Sequence, residues 1–456
     1  MTIAGITNLH GVSAFAHRNY RLFFAGQAIS LVGTWMQQVA QAWLVLQLTG
    51  DALWLGIVAA AQFIPILIFG LFAGILADAL PKRQTLIWTQ AIKMGLSVIL
   101  AIIAVTGFAS IPLLIVIALA IGTVNAVDMP VRQAFAVEMV GREDIQNAVA
   151  LNSAMFNGAR VIGPAVAGLT IGAVGVAMAF TIDAVSFLAV IVALLLMHEA
   201  ELHTPARIAR PHSTSEVMVQ LREGLHYVRI TPAVLISVVV VGLVSTVGMN
   251  FSVVIPPFTQ DVLGSDAAGY GFLMAASGLG SLVAALWLAF GRGARPRMIA
   301  IGAVILGVGE LALGFTRAYP VALGLMGVVG FGGILMAATA NTTMQLVVPD
   351  GLRGRVMAVY TTIFAGSTPI GGPVMGGIAS AFGIAFSVAL GGLLSLVVGV
   401  ASAGYIRRHG LDRVRGSAVR RPQDERGVQA TEAERRREDA FVPAGPALAQ
   451  ETRQQP

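Results

Sequence analysis

The sequence predicts an all-α membrane protein whose twelve transmembrane helices form two six-helix bundles. Three observations lead to this fold class: the apolar composition, the presence of twelve long apolar stretches, and a polar segment that separates six of them from the other six. Apolar residues make up 56% of the 456-residue chain and charged residues only 11%, whereas an average soluble domain has roughly 25% charged residues. Because the mean hydropathy is also high, at +0.80, a soluble globular protein is excluded.

Each apolar stretch is long enough to cross a hydrocarbon core of about 30 Å, which takes roughly 20 helical residues. The first span follows Arg18 and Arg21 and continues through Trp35 and Trp43 with no small-residue cleavage site. It is therefore expected to be a retained helix and not a signal peptide. In chain order, the predicted spans are 22–47, 54–77, 85–106, 111–129, 144–170, 175–197, 233–256, 268–290, 298–316, 320–341, 356–380 and 384–406.

Basic residues are distributed unequally between the two sides of the membrane. One alternating set of connections holds fifteen Lys and Arg residues, whereas the opposite set holds only Arg317. Basic residues accumulate on the cytoplasmic side of a bilayer. The pattern therefore predicts a multi-pass protein of the inner (cytoplasmic) membrane with both termini in the cytoplasm.

The connections also predict the domain organisation. Residues 1–197 are expected to form an N-terminal six-helix bundle, 198–232 a polar cytoplasmic linker, and 233–406 a C-terminal six-helix bundle. Nineteen of the 52 charged residues lie in 407–456, a composition typical of a disordered tail. Its three consecutive Arg residues at 435–437 are expected to contact anionic lipid headgroups.

A short repeat supports the division into two halves. The run Gly163-Pro164-x3-Gly168 in the fifth span matches Gly372-Pro373-x3-Gly377 in the eleventh, at an offset of 209 residues. Duplicated six-helix halves are typical of secondary transporters, which bind their substrate between the halves near the midplane of the membrane.

The loop after the second span carries a carboxylate and two cations. Asp78 follows Gly74 by four residues and precedes Lys82 and Arg83 in a tight turn. Opposite charges at a helix end can hold a facing helix terminus in one of two states. A cytoplasmic gate is therefore predicted; its further members, from the fourth span, are Asp128 and Arg132. The alternative is a basic turn that only fixes topology.

These two patterns, G-x3-D-x3-[RK]-[RK] and G-P-x3-G, resemble the major facilitator superfamily over residues 15–406. The runs 19–24, 34–38, 128–133 and 152–164 are similar to its enterobactin-exporter-like subgroup of drug:proton antiporters. The chain departs from the superfamily where Ala79 replaces the usual Arg, and the Arg-bearing motif of span four, associated there with proton transfer, is not evident.

The resemblance implies a multidrug or siderophore efflux transporter. Such a protein exports small amphipathic molecules by alternating access, in exchange for protons. Two alternatives stay open: an importer or facilitator of a polar metabolite, and a membrane sensor that has the fold but does not transport. The resemblance also associates the glycine-proline motif with antiport. That motif consists of Gly158, Arg160, Gly163, Pro164 and Gly168; its alternative role is close helix packing.

Polar residues form a stripe on the first span. At 100° per residue they fall within an arc of roughly 100°, and a row of such side chains facing lipid would be costly. The stripe is therefore predicted to line a central cavity, and hydrogen bonding to a neighbouring helix is the alternative. The predicted cavity-lining residues are Gln27, Ser30, Thr34, Gln37, Gln38 and Gln41, together with Asn157 and Asn250.

Ionisable residues within the spans are few, and a charge at the membrane centre costs at least about 2.5 kcal/mol on insertion scales. The acids are candidates for proton coupling, namely Asp128, Asp183 and Glu310. Lys93 is close enough to one side to reach the interface. Arg160 and Asp183 lie at similar depths, so a static ion pair between them is the alternative to a role in coupling.

The remaining residue types exclude several function classes. The absence of Cys excludes disulfides and thiolate metal sites. Neither a phosphate-binding glycine loop nor a metal-ligand cluster is present in the sequence, so no cofactor, metal or enzymatic activity is expected. The expected partners are a small-molecule substrate, protons and membrane lipid, without nucleic acid, and the chain is expected to be a monomer.

Overall fold

A computed structural model describes the backbone of residues 10–203, 214–290 and 295–411. Side chains are described in the same ranges apart from 10–11, 70–79 and 214–221. Regular structure in these ranges is helical throughout, with no β-strand.

Six helices make up the first half of the chain, after a short 3-10 segment at His10–Ala16. Glycines with positive φ end two of them: Gly50 (φ 61°) follows α1 and Gly107 (φ 75°) follows α3. Only glycine adopts this left-handed conformation without steric cost. The helices are α1 (Arg18–Thr49), α2 (Ala52–Ala79), α3 (Lys82–Thr106), α4 (Ile111–Val140), α5 (Ile145–Val174) and α6 (Val176–Leu195).

The second half contains eight helices. Its first span is broken between α8 and α9, and a π-helical turn at Phe258–Val262 extends α9. Pro256 and Pro257 lie just before this turn, and proline disrupts the regular hydrogen-bond ladder because it lacks an N–H. The helices are α7 (Thr214–Ile230), α8 (Pro232–Val247), α9 (Phe251–Pro257), α10 (Ala267–Phe290), α11 (Arg297–Phe315), α12 (Tyr319–Val347), α13 (Asp350–Phe382) and α14 (Ile384–Arg408).

All twelve predicted spans fall on helices, so the predicted all-α membrane fold is confirmed. Within the described ranges, ten helical segments are long and apolar enough to cross a membrane. The two other predicted spans lie on α1 and α13, where glutamine, glycine and hydroxyl side chains lower the hydropathy. Helix α7 lies within the predicted linker and was not predicted.

The helices pack in a defined order. In the first half, α1 packs on α5 and α6, α2 on α4, and α3 on α6; in the second half, α11 packs on α12 and α14. The most extensive contacts between the halves are those of α2 with α13 and of α5 with α10, and α9 makes smaller contacts with α1 and α2. Many large apolar side chains remain exposed on the outside of this assembly, as a lipid-facing surface requires.

The helix assembly has two end faces. The basic face is the end of the helices that carries Arg18, Lys82 and Arg83; there Arg18 donates a hydrogen bond to the carbonyl oxygen of Leu196 (3.1 Å). The far face is the opposite end, where Gly50 and Gly107 lie. The close contacts between α2 and α13 involve Ala52 and Gly376 and are therefore near the far face.

Candidate functional site

Asp128 of α4 is fully buried and receives four hydrogen bonds. One carboxylate oxygen accepts from the Thr89 hydroxyl (2.7 Å) and the Gln90 amide (2.7 Å). The other accepts from the Lys93 ammonium (3.1 Å) and from Arg132, one turn along the same helix. Lys93 therefore reaches an acid inside the first half, which corrects the alternative that it extends to the interface. Two cations and two neutral donors stabilise Asp128 as an anion.

The other cations of the predicted gate contact different acids. Lys82 forms an ion pair with Glu138 of α4 (2.7 Å). Arg83 pairs with Glu199 and donates from Nε to the carbonyl oxygen of Leu194 (2.7 Å) at the end of α6. Both side chains thus connect α3 to neighbours in the same half, and of the three cations predicted for the gate, Arg132 is the one that pairs with Asp128. Gly74 and Asp78 belong to the last turns of α2, and their side chains lie outside the described residues.

The 3-10 segment before α1 docks on the start of α5, which the sequence analysis did not foresee. The Ser13 hydroxyl donates to the carboxylate of Asp144 (2.5 Å), and His17 Nε2 lies 2.8 Å from its second oxygen. The backbone N–H of Ala14 donates to the Asn147 side chain (3.0 Å). The hydrogen bonds from Ser13 and His17 stabilise the anion and lower the pKa of Asp144.

The glycine-proline motif of α5 contacts two different helices. A Cβ atom at Gly163 would collide with Trp35 of α1, and one at Gly168 would lie 2.8 Å from the carbonyl oxygen of Ala267 in α10. Pro164 is buried, and its carbonyl oxygen faces Gly271 of α10. Gly158 is different, since a Cβ atom there would meet nothing within 4 Å.

The matching residues of α13 make the second contact between the halves. A Cβ atom at Gly372 would lie 3.0 Å from the carbonyl oxygen of Gly56 in α2, and one at Gly376 would lie 2.5 Å from that of Ala52. Two glycine-rich helix contacts thus join the halves, α5 with α10 and α2 with α13. Such contacts allow backbones to approach closely, as is typical of membrane helices.

The polar stripe of α1 faces protein and not the outside. Gln27, Ser30, Gln37 and Gln41 are buried, and Thr34 and Gln38 are half-buried. Part of the stripe is satisfied within α1: the Gln37 amide donates to Gln41 (2.5 Å), and the Thr34 hydroxyl to the carbonyl oxygen of Ser30 (3.0 Å). Gln27 Oε1 and Gln41 Nε2 have no partner among the described residues.

The two asparagines predicted to line the cavity bond to their own helical turns. Asn157 donates to the carbonyl oxygen of Ser153 (2.8 Å). Asn250, at the break between α8 and α9, is buried and donates to the carbonyl oxygen of Thr246 (2.7 Å). Its Oδ1 has no partner among the described residues. Asn250 therefore keeps an acceptor available at the point where the helix is interrupted.

Arg160 lies near the middle of α5 and contacts aromatic rings. Its guanidinium carbon is 5.9 Å from the ring centroid of Trp35, a distance compatible with a cation–π interaction. Trp35 packs edge-on against Phe156 with ring centroids 5.7 Å apart. Arg160 forms no ion pair with any acid whose side chain the structure describes. The expected alternative, a pair with Asp183, is wrong.

Asp183 of α6 bonds to a hydroxyl instead. Its Oδ2 accepts from Ser97 of α3 (2.5 Å), whereas its buried Oδ1 has no partner among the described residues. Glu310 of α11 is also buried, and its Oε2 is likewise unpartnered within the described ranges. At 1.5 Å per residue, Arg160 lies about 21 Å from the far end of α5 and Asp183 about 10 Å from that of α6. The two residues therefore differ in depth, and they face different neighbours.

The chain is similar in sequence to known transport proteins. The profile of a family described as transmembrane secretion effectors matches residues 10–420. The multidrug efflux pump Tap of Mycolicibacterium fortuitum is 30% identical over 384 residues, which cover 82% of this chain and 92% of the relative. The staphyloferrin A transporter of Staphylococcus aureus is 23% identical over 83% of this chain and 94% of its own length.

Solved structures show the same fold. A crystal structure of a POT peptide transporter superposes with a TM-score of 0.70 at 12% identity, covering 86% of this chain and 95% of that one. A bacterial homologue of the lysosomal transporter Spinster, inward-facing and unoccupied, gives a TM-score of 0.62 at 12% identity and covers 85% and 96% of the two chains. With its helices, its duplicated glycine-proline contacts and this family match, the chain belongs to the transmembrane secretion effector family of major facilitator transporters.

Proposed function

We propose that this protein exports small amphipathic molecules that carry a negative charge, in exchange for protons, by alternating access. Family membership supports secondary transport, and the relatives named as a multidrug efflux pump and a staphyloferrin A transporter support export. The direction, the coupling ion and the charge of the substrate are the new parts of the proposal.

The environment of Arg160 is the main support for a negatively charged substrate. A guanidinium in the middle of a transmembrane helix needs an acidic or polar partner, since its burial in the membrane is costly. The described acids do not provide one, and the cation–π contact with Trp35 compensates only in part. An anionic group on the substrate would complete the site, because a planar guanidinium binds a carboxylate through two parallel hydrogen bonds.

The neighbours of Arg160 indicate the rest of the substrate. Trp35 and Phe156 offer flat apolar surfaces beside the charge, and the polar stripe on α1 includes Gln38 and the incompletely bonded Gln41. A molecule that is apolar at one end and carries a carboxylate at the other fits this combination. We place the remaining predicted cavity residues, Asn157 and Asn250, around the same path.

Alternating access would use the two glycine contacts. The contacts of Gly168 with α10 and of Gly376 with α2 hold the halves together near the far face. We infer that this arrangement is closed to the far face and opens toward the basic face. The predicted gate residues Asp78, Asp128 and Arg132 would then act at the side that opens. The chain would work as a monomer in the inner membrane with both termini cytoplasmic.

Transport into everted membrane vesicles tests the proposal. Dansyl-glycine and its methyl ester serve as probes that differ by one negative charge, and vesicles without the protein correct for passive entry. We expect pH-driven uptake of the acid. Arg160→Gln removes a hydrogen bond to a charged group, worth about 1.5–3 kcal/mol, so uptake of the acid should decrease about tenfold or more. Arg160→Lys should retain part of the activity.

Arg317→Gln is the matched control, because Arg317 is exposed in a loop at the far face. It should leave uptake of both probes unchanged. Equal transport of the acid and the ester, with the same rates in Arg160→Gln, would overturn the assignment of an anionic substrate. Absence of any protein-dependent uptake of either probe, in the presence of a pH gradient, would count against export of this class altogether.

A further inference from the structure

In each half of the protein, a buried acid lies against a glycine of the helix that forms the first transmembrane span of that half. In the first half, a Cβ atom at Gly33 of α1 would lie 3.0 Å from Oδ1 of Asp183. In the second half, a Cβ atom at Gly248, which ends α8, would lie 3.0 Å from Oε2 of Glu310. These two oxygens are the ones that lack a hydrogen-bond partner within the described ranges.

The internal repeat relates the two sites. The same Cβ positions at Gly33 and Gly248 would also contact the hydroxyls of Ser186 and Ser395, respectively. Ser186 and Ser395 are separated by 209 residues, the offset of the two glycine-proline motifs. When only the helices that form transmembrane spans are counted, each site therefore lies where the first, third and sixth helices of its half meet. These are α1, α3 and α6 in one half and α8, α11 and α14 in the other.

The two halves exchange the positions of the acid and the serine. In the first half, the acid Asp183 is on the sixth helix and Ser97 of the third helix donates to it. In the second half, the acid Glu310 is on the third helix and Ser395 is on the sixth. The Ser395 hydroxyl is buried and has no partner among the described residues. The composition of the site is thus retained while the helix that carries the carboxyl group changes.

Neither carboxyl group has a cation to neutralise it. Asp183 is 1% exposed and Glu310 4% exposed, and no described Lys, Arg or His forms an ion pair with either. Lys93, on the same helix as Ser97, is the cation whose charge reaches Asp183, and it is bonded to Asp128. An unpaired carboxylate in such surroundings is costly, whereas a protonated carboxyl group is not charged.

From this geometry we infer that Asp183 and Glu310 are two separate proton-binding sites, one in each half, and that both exchange a proton in every transport cycle. The inference rests on the proposed exchange for protons. Each carboxyl group holds its proton while the first helix of its half packs over it through Gly33 or Gly248. The proton is released when that helix moves and water reaches the carboxylate, which gives the difference between two states that coupling requires.

Both sites would serve the same side of the membrane. At 1.5 Å per residue, Asp183 lies about 10 Å from the start of α6 and Glu310 about 8 Å from the end of α11, both measured from the far face. Asp128 lies toward the basic face and is bonded to Lys93 and Arg132, so it is not included. Two equivalent sites predict two protons per transported molecule.

The proton number can be measured with the purified full-length protein in proteoliposomes. The membrane potential is clamped at zero, and the steady-state gradient of dansyl-glycine is determined at several pH gradients. The logarithm of the substrate gradient should rise with the pH gradient with a slope of about 2 in the wild type, about 1 in Asp183→Asn and in Glu310→Gln, and about 0 in the double variant. Counterflow of labelled substrate without a pH gradient should persist in all of them and reports folding.

An exchange variant separates proton binding from folding. Combining Ser97→Asp with Asp183→Ser gives the first half the acid and serine arrangement of the second, and it should restore a slope of about 2. An unchanged slope in the double variant, or a slope in the wild type that only one of the two acids affects, overturns the two-site inference. A wild type that shows counterflow but a slope of zero refutes proton exchange itself, and one without counterflow refutes the proposed transport.

Discussion

The carboxylate of Asp128 and the guanidinium of Arg132 form an ion pair one helical turn apart on α4, and Lys93 of α3 bonds to the same carboxylate oxygen. Asp128 is 0% exposed, so both cations depend on it for neutralisation within the membrane. Both carboxylate oxygens of Asp128 accept hydrogen bonds, whereas Asp183 and Glu310 each keep an unpartnered oxygen within the described ranges. The three acids that look equivalent in the sequence therefore have different physical roles.

Asp128→Asn should destabilise the protein strongly. It leaves the half-buried Lys93 and Arg132 next to each other without a counter-charge. Removing one partner of a fully buried ion pair costs about 3–5 kcal/mol, which is the upper bound here. We expect a clear decrease in the unfolding temperature of the detergent-solubilised protein. Replacing Lys93 by Met in the same background should recover part of the loss, because it removes one of the two uncompensated charges.

A matched control is available at the start of α13. Asp350 pairs with Arg353 on an exposed helical turn, and exposed pairs of this kind contribute little. Asp350→Asn should leave the unfolding temperature within experimental error. An Asp128→Asn protein as stable as the wild type would show that the cluster does not support the fold.

Much of this fold was predictable because hydropathy directly reflects membrane crossing. All twelve spans were found from the length of apolar stretches. The interruption between α8 and α9 was not, since Gly248 and Asn250 are two of several small or polar residues scattered through a long apolar run. Helix α7 was missed for the opposite reason, because an amphipathic helix on a polar linker has no apolar stretch of spanning length.

The candidate site was less predictable, since a sequence gives the depth of a residue only approximately and does not give the direction in which it faces. Arg160 and Asp183 are predicted at similar depths, yet Arg160 lies near the middle of α5 and faces Trp35, whereas Asp183 lies nearer the far face and faces Ser97. Lys82 and Arg83 are adjacent in the sequence and still contact acids in different segments, Glu138 and Glu199. Partner choice depends on the rotation of each helix, which packing decides.

Glycines on one helix should differ sharply in their tolerance of substitution. Gly168→Leu places a large side chain against the backbone of α10, where even a Cβ atom would be 2.8 Å from the Ala267 oxygen. It should reduce transport of dansyl-glycine by at least about tenfold, because overpacking a tight contact is destabilising and separates the halves. Uptake per correctly inserted protein is the quantity to measure.

Gly158→Leu is the matched control for that experiment, since no atom lies within 4 Å of a Cβ at this position on the same helix. Transport should fall less than about twofold, in line with the small effect of an unopposed surface change. Gly107 would be unsuitable as a control, because its φ of 75° makes any other residue strained. Similar losses at Gly158 and Gly168 would assign the effect to helix propensity and not to the contact between halves.

The attachment of the 3-10 segment before α1 to the start of α5 should depend on pH. Hydrogen bonds from Ser13 and His17 lower the pKa of Asp144, so the folded protein binds this proton less readily than the unfolded chain does. The stabilisation is then present above the ordinary aspartate pKa of about 4 and is lost as the pH falls toward the lowered value. The protection factors for hydrogen exchange of residues 12–17, which correct for the slower intrinsic exchange in acid, should therefore decrease at acidic pH.

Asp144→Asn provides the comparison for the pH experiment. It removes the titrating group, so the amide hydrogens of residues 12–17 should exchange faster in the variant than in the wild type at pH 7. The difference between the two proteins should vanish as the pH is lowered through the acid range. A difference that stays constant from neutral to acidic pH would show that the carboxylate does not hold the segment.

The last prediction concerns the attachment of α7 to α13. The carboxylate of Glu223 pairs with Arg355, but both side chains are partly exposed, so the ion pair alone should contribute no more than about 1 kcal/mol. The close contact is made by Gly224, where a Cβ atom would lie 2.7 Å from the carbonyl oxygen of Arg355. Gly224→Leu should therefore release α7 and increase proteolysis within the 198–232 segment, whereas Glu223→Gln should change the rate little. Gly351→Leu is the control, because a Cβ atom at that position on α13 meets nothing within 4 Å. Faster cleavage in Glu223→Gln than in Gly224→Leu would mean that charge, and not packing, holds the linker helix in place.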